Sequence, residues 1–434
     1  MRRHANVILI IGALLLVAGS AFGQVHEVPT YRLIDTAAEA YLHYSLGRLM
    51  ELRGLLSDAL VQFRRAESLD RGHCEIEVAI GRVLLAMGES EDARAKAEEA
   101  LASCPDELEA LSVFATASMI LGEPSEAERV LDEPAREPGA SEELVVLLAQ
   151  SLLAQEKSDE ANEVYRERAL TDSLSPRIAY LHAQALLSAD RLDEALQELS
   201  RARRLDPENR AVQASLGRLL VAGGRPQQGV EVLERFLSEV TGLEGEYLAL
   251  ARGHTDLEQH DRAVAAIESG LAAIGPTPSL LSALGSVRFL AGDTEGALDA
   301  YERVLEIQPD SVQALNFIAY TLADEDLDPE RALPYAERAV EMDPQNGFVR
   351  DTLGWVYFKL GRFGDAREAL EAAVELGGTE SVVYEHLGDA LRALGLTGEA
   401  VSAWSRALEI EPGRESSIAR IEAAGIPEAS GGNP

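Results

Sequence analysis

The sequence predicts an all-α solenoid, one antiparallel helix pair repeated eleven times. Three observations carry this: a 34-residue period, small residues at fixed places within it, and Gly and Pro between apolar-periodic stretches. The period is read from the small residue in the middle of each block: Ala59, Ala93, Ala127, Ala161, Ala195, Gly229, Ala263, Ala297, Ala332, Ala366 and Ala400. The spacing is 34 in nine of ten steps and 35 once, between Ala297 and Ala332. With Ala59 counted as position 20, the repeats begin at 40, 74, 108, 142, 176, 210, 244, 278, 312, 347 and 381 and fill residues 40–414. A period of this length marks a stack of supersecondary units.

Each unit holds two amphipathic stretches of about 12 residues with helical periodicity. Position 8, in the first stretch (helix A), is always Gly or Ala, from Gly47 and Gly81 to Gly354 and Gly388. Small residues at positions 8 and 20 let helices A and B approach closely. Between the stretches lies a turn, usually with Gly: Gly54, Gly88, Gly122, Gly224, Gly292, Gly361 and Gly395. Gly ends helix A because it accepts the left-handed conformation. Pro at position 32 (Pro105, Pro207, Pro309, Pro344, Pro412) stops helix B, since it lacks the N–H that would extend it. One pair cannot bury its apolar face alone, so the units stack on one continuous core. The extra residue of repeat 9 is expected in its A–B turn, around Asp324–Asp328.

The flanks read differently. Arg2 and Arg3 precede an apolar run from Val7 to Ala18, followed by Ala21-Phe22-Gly23. That is the layout of a secretory signal peptide at residues 1–23, cut before Gln24. The alternative is an uncleaved membrane anchor, although a full span needs about 20 apolar residues. Residues 24–39 are expected to form an extended lead-in, residues 415–426 a C-terminal capping helix, and residues 427–434 a disordered tail. No Cys follows the apolar run, so lipid attachment is not supported.

The formal net charge is −35, from 74 acidic and 39 basic residues, and only three of the basic ones are Lys. A nucleic-acid binder needs a basic footprint to release phosphate counterions, and none is visible. The 46% hydrophobic content excludes a disordered acidic polymer.

Gly or Ala at position 8, Ala at position 20, Ala at position 27 (Ala66, Ala100, Ala202, Ala339, Ala373, Ala407) and Pro at position 32 resemble the tetratricopeptide repeat (TPR) family over residues 40–414. The resemblance implies a right-handed superhelix of antiparallel helix pairs, with helix A lining a concave groove that binds proteins or peptides. Among the departures at position 27 are Pro134, Arg168 and Phe236. They imply a short helix B in repeat 3 and looser packing across 122–175 and 223–245. The strings ALNFIAYTLAD (314–324), DTLGWVYFKLGR (351–362) and YEHLGDALRALG (384–395) also resemble bacterial cell-envelope TPR adaptors.

Cys74 and Cys104 stand at positions 1 and 31 of repeat 2, at the same end of one helical hairpin. In an oxidising compartment a disulfide is open to them; the alternative is two partly buried thiols. The eight His are scattered, and no H-E-x-x-H, G-x-S-x-G or phosphate-loop motif occurs. No catalytic residue, metal site or cofactor is expected, nor a small-molecule substrate. His182, at an apolar position, reads as a core histidine.

In this family helix A positions 2, 5, 9 and 12 face the groove. Position 9 carries adjacent-repeat arginines, Arg48 with Arg82 and Arg218 with Arg252, which either fork onto a partner's carboxylates or pair with neighbouring Glu. The chaperone-binding subgroup grips a terminal carboxylate with a Lys/Asn set. Asn316 stands at position 5, but the set is absent, so that activity is not implied. The sharper candidates are Asn316, Tyr320, Phe348, Asp351 and Trp355. Trp355 is expected to be the one exposed Trp, anchoring a peptide, while Phe358 belongs in part to the core. The expected function is a non-enzymatic adaptor of the cell envelope, periplasmic or secreted, with a protein or peptide partner in the groove. The alternative is an accessory subunit of an envelope polysaccharide or cell-wall enzyme complex, bound through its convex face. Membrane contact is expected only if the signal segment is retained.

Overall fold

Twenty-three helices and no strand occur among the described residues, which in this computed structural model are 36–171, 174–325 and 327–424. Each repeat contributes helix A, spanning positions 1–13 in all repeats but the first and fourth, and helix B, beginning at position 17 in all repeats but one. Repeat 2 shows the pattern: Cys74–Ala86 is helix A and Ser90–Ser103 is helix B. A three-residue connection leaves two such helices no geometry but an antiparallel hairpin. In repeat 9 helix A ends at Asp324 and helix B starts at Pro329, so the extra residue lies in that turn.

The chain divides into two compact units, Met1–Thr171 and Asp172–Pro434. The first unit holds the helices of repeats 1–4 around Phe63, Ile80, Leu84 and Phe114. The second holds repeats 5–11 and a last helix, Glu415–Ala423, around clusters that include Leu233, Ile267, Tyr301 and Ile318. In both units helices A of successive repeats touch one another far more than helices B do. Helix A therefore lies on the inner side of the curve within each unit.

The close approach is set by position 8 meeting position 24. A Cβ added at Gly47 would stand 2.6 Å from Phe63 Cε1, and one at Gly285 would stand 2.6 Å from Tyr301 Cδ2. The same holds at Gly217 against Leu233 and at Gly354 against Leu370. Those partner side chains are all buried. In repeat 2 the pair is Gly81 with Ala97, where the built Cβ meets the Ala93 carbonyl at 3.2 Å instead. Interiors this dense have no slack for one methyl group.

The turn follows the same logic at position 15. The seven glycines there all have positive φ, from 69° to 84°. Glu156, Asp190 and Glu258 occupy the slot in repeats 4, 5 and 7 and adopt the same left-handed backbone, with φ of 62°, 57° and 58°. For residues with a Cβ this conformation costs roughly 1–2 kcal/mol.

Four expectations change. The first helix begins at Thr36, so residues 36–39 are helical rather than an extended lead-in. Helix B of repeat 3 runs from Pro124 to Arg136, through Pro134, and is only one residue shorter than the usual 14. Phe236 is not a point of loosening: it is buried with Leu233, and the backbone turns extended after it at Val240. The helix after the last repeat ends at Ala423. Residues 1–35 and 425–434, with the signal segment and the tail, lie outside the described residues.

Cys74 and Cys104 form a disulfide across a Cα separation of 6.2 Å. It ties the start of helix A to the residue after helix B, which closes the hairpin of repeat 2. Closing a loop of 30 residues removes chain entropy equivalent to about 3–4 kcal/mol in the unfolded-state model. Cys104→Ser, or a reductant, should therefore lower the urea midpoint of the first unit and expose the 87–89 turn to protease. An unchanged midpoint under both treatments would show that the bond does not constrain the unfolded chain.

Candidate functional site

The inner face of the second unit carries two different surfaces. At repeats 10 and 11 it is closed by side chains. Trp355 is only 7% exposed and lies flat on His386, with centroids 4.0 Å apart and planes 14° apart. Phe358 stacks nearby at 4.9 Å. Trp355 Nε1 donates to Asp324 Oδ1 at 3.0 Å, and Lys359 Nζ stands 5.1 Å from the indole ring centroid. Beneath this stack His386 Nδ1 donates to Asp351 Oδ1 at 2.9 Å, and both residues are buried. Tyr320 is half-buried, its ring 6.4 Å from His386. Burial, with the Asp324 and Asp351 carboxylates nearby, pushes the Tyr320 hydroxyl up to about 12.

Two site expectations are thereby corrected. Trp355 is not an exposed anchor, because His386 of the next repeat covers it. Asp351 is not presented to a partner, because it holds that histidine. The two residues build an aromatic and polar seam between repeats 9, 10 and 11.

The last helix closes the seam's outer end. Glu385 is buried and accepts hydrogen bonds from Arg414 and from Ser416 (2.8 Å), while Arg420 Nη1 lies 2.6 Å from it. Arg420 also forks onto Asp389 at 2.6 and 2.9 Å, and Trp404 Nε1 donates to Asp389 at 3.2 Å. Burial works to raise the Glu385 carboxyl, but Arg414, Ser416 and Arg420 outweigh it and hold it below the usual value.

Three of the four arginines of position 9, Arg48, Arg82 and Arg218, are engaged by carboxylates within the chain. Arg82 donates to Glu51 (2.7 Å from Nη2) and to Glu109. Burial disfavours its charge, yet these two carboxylates raise its pKa. Arg48 reaches Glu51 at 3.2 Å, so both arginines of the first pair share one carboxylate. Arg218 lies 3.4 Å from the buried Glu246. Arg252 approaches only Asp256, at 3.9 Å, and stays 66% exposed. His182 is buried beside Glu198 at 3.8 Å, in keeping with a core histidine.

The open surface lies one repeat earlier. Helices A of repeats 8 and 9 (Pro278–Leu290 and Val312–Asp324) stand wider apart than those of repeats 9 and 10. A trough of about 410 Å³ opens there, lined by Ser279, Ser282, Ser286 and Gln313 among others. Ser286 is paired with the buried Tyr301 hydroxyl at 2.8 Å. One turn from Gln313, Asn316 Oδ1 is buried and has no hydrogen-bond partner. Phe289 of repeat 8 and Phe348 of repeat 10 are exposed, at 37% and 45%. Sequence reasoning found Asn316 and Phe348 but missed the serines. The signal was three serines together at positions 2, 5 and 9 of one repeat, a combination no other repeat has.

Repeated helical hairpins with inward-facing polar and aromatic positions define a repeat scaffold. The chain belongs to the tetratricopeptide repeat family: models described as "Tetratricopeptide repeat" match residues 78–140, 186–250, 248–312 and 352–415. A further model, "Anaphase-promoting complex, cyclosome, subunit 3", matches residues 136–202. A TPR repeat-containing protein of Pseudomonas aeruginosa is 26% identical over 172 residues, 39% of this chain and 29% of that protein. The protein O-mannosyl-transferase TMTC1 of Homo sapiens is 25% identical over 163 residues, 36% of this chain and 18% of that protein. The chain thus matches less than a third of the length of either relative. A solved tetratricopeptide repeat protein from Parabacteroides merdae is 16% identical, with 58% of this chain and 99% of that one covered and a TM-score of 0.47. Scaffolds of this family suit protein–protein interaction and are generally non-enzymatic. No described helix is long and apolar enough to cross a membrane.

Two outcomes follow from the closed seam. Trp355→Ala should cost about 3–5 kcal/mol, as truncation of a buried aromatic does, and lower the unfolding midpoint of the second unit. An unchanged midpoint would return Trp355 to the residues that face a partner. Because the Glu385 pKa is depressed on folding, its contribution is full above the usual carboxylate value of 4.5 and is lost as pH falls through the lower folded value. Hydrogen exchange of Glu415–Ala423 should therefore be flat from pH 7 to 5, after correction for the intrinsic rate, and accelerate below. Glu385→Gln should show the fast exchange already at pH 7.

Proposed function

We propose that the chain is an exported, non-enzymatic adaptor that holds an extended segment of a partner protein along the helix A faces of repeats 8–10. The observation that carries the reading is the unsatisfied amide of Asn316 beside the serine trough. A buried acceptor without a partner costs about 1–3 kcal/mol, and a backbone N–H of an extended ligand would supply the missing donor. Phe289 on helix A of repeat 8 and Phe348 on helix A of repeat 10 are exposed apolar side chains, and aromatic anchors carry much of the binding energy at interfaces. Export is supported by the charged-then-apolar start of the sequence and by the disulfide of repeat 2, a bond kept in oxidising compartments. The cell-envelope assignment rests on the resemblance of the last three repeats to envelope adaptors.

The test is site-specific photo-crosslinking in envelope extract, with the crosslinker at Phe348 and, as the control, at Val61 on an exposed face of the other unit. A product seen from position 348 alone, and reduced at least tenfold by Asn316→Ala with an unchanged melting curve, is expected. Equal products from both positions, or none sensitive to Asn316, would move partner binding off this face and favour the accessory-subunit reading.

A further inference from the structure

A second cavity lies away from the helix A faces, and its charge is opposite to that of the chain. It holds about 490 Å³ between helix B of repeat 5 (Leu192–Leu205) and both helices of repeat 6 (Arg210–Ala222 and Pro226–Glu239). None of its lining residues stands at helix A position 2, 5, 9 or 12. Arg203 and Arg204 enter it from one side and Arg235 from the other, against a single carboxylate, Glu231. Leu216 and Leu220, part of the buried cluster of repeats 5 and 6, form the floor.

These arginines differ from their neighbours. Arg201 is tied to Glu198 at 2.9 Å, Arg225 to Asp193 at 2.7 Å, and Arg262 to Glu234 at 2.6 Å. Arg203 and Arg204 are exposed and have no carboxylate partner among the described residues. Arg235 reaches only Glu239, at 3.5 Å, and is 75% exposed. Interaction with the helix dipole favours a cation in a last turn, yet most helices B of this chain end without one. The dipole also gives no reason for three guanidinium groups to converge from two helices over an apolar floor.

We propose that this pocket docks an acidic segment of a partner protein, with carboxylates forked by Arg203, Arg204 and Arg235 and an apolar side chain seated on Leu216 and Leu220. Arg matches carboxylate geometry through paired N–H donors. A long polyanion such as nucleic acid would extend beyond the pocket onto a surface whose net charge is −35. Screening over about 8 Å at physiological salt confines the attraction to a short segment. The site is separate from the repeat 8–10 face, so a partner can hold both at once.

The test uses the full chain and a labelled peptide of twelve residues alternating Glu-Glu-Leu, with a Lys-Lys-Leu peptide of equal length as control. Fluorescence anisotropy should show saturable binding of the acidic peptide alone, weakening as salt rises. The double variant R203E/R204E should reduce its affinity at least tenfold, and Arg204→Gln alone by a smaller factor. Arg65→Glu on repeat 1, and Phe348→Ala at the other proposed site, should change nothing. Unfolding curves establish that the variants are folded. Equal affinity in wild type and double variant would overturn the proposal, as would equal binding of the Lys peptide. Displacement of the acidic peptide by single-stranded DNA at lower concentration than by unlabelled peptide would overturn it in favour of nucleic acid. Dimerisation of the chain that the double variant abolishes would give the pocket to a second copy instead.

Discussion

The structure depends on how closely helix A can lie against helix B within one repeat. That distance is fixed where a residue with little or no side chain at position 8 meets position 24. Gly47 under Phe63, Gly285 under Tyr301 and Gly354 under Leu370 leave no room for a methyl group. With the hairpin this tight, the apolar side chains of positions 7, 11 and 24 must find their remaining neighbours in the next repeat. Stacking is thus a consequence of the hairpin's own economy of space: each pair is too thin to cover its core and shares it with the next. The low aromatic content follows, since bulk is needed at one of the two facing positions only.

The same constraint explains which parts of the molecule were legible beforehand. Period, hairpin turn and disulfide reach are local properties. Gly54, Gly88 and their equivalents announce the left-handed turn by type, and Glu156, Asp190 and Glu258 adopt it because the hairpin on either side demands it. Cys74 and Cys104 could be placed at one end of a hairpin by counting alone. Helix B of repeat 3 was misjudged because Pro134 was read as a stop. Pro134 is the third-last residue of that helix, so little helix remains after it to be displaced.

The candidate site was less legible because it depends on neighbours between repeats rather than on position within one. Position 9 faces inward, and Trp355 does so too; but the next repeat places His386 over it, and Asp351 holds His386 in place. Register arithmetic treats every repeat as having the same neighbour, so it cannot register a ring supplied from 31 residues away. The converse holds at repeat 8. Ser279, Ser282 and Ser286 together line a trough, and the orphaned Asn316 oxygen exists because no neighbouring donor reaches it.

Charge gives a second view of the same division. In a chain of net charge −35, an arginine has many carboxylates to choose from, and most of them take one. Arg48 and Arg82 share Glu51, and Arg414 and Arg420 converge on Glu385, where burial makes an unpaired carboxylate costly. Arg82 with Glu51 fastens repeat 2 to repeat 1, and Arg420 with Glu385 fastens the last helix to repeat 11. An arginine left without a partner in such surroundings is the exception that structure does not require. Arg203 and Arg204 keep their charge available at the C-terminal end of a helix, over an apolar floor. The acidic surface therefore does more than solvate the array: it makes the few unneutralised cations distinct from everything around them.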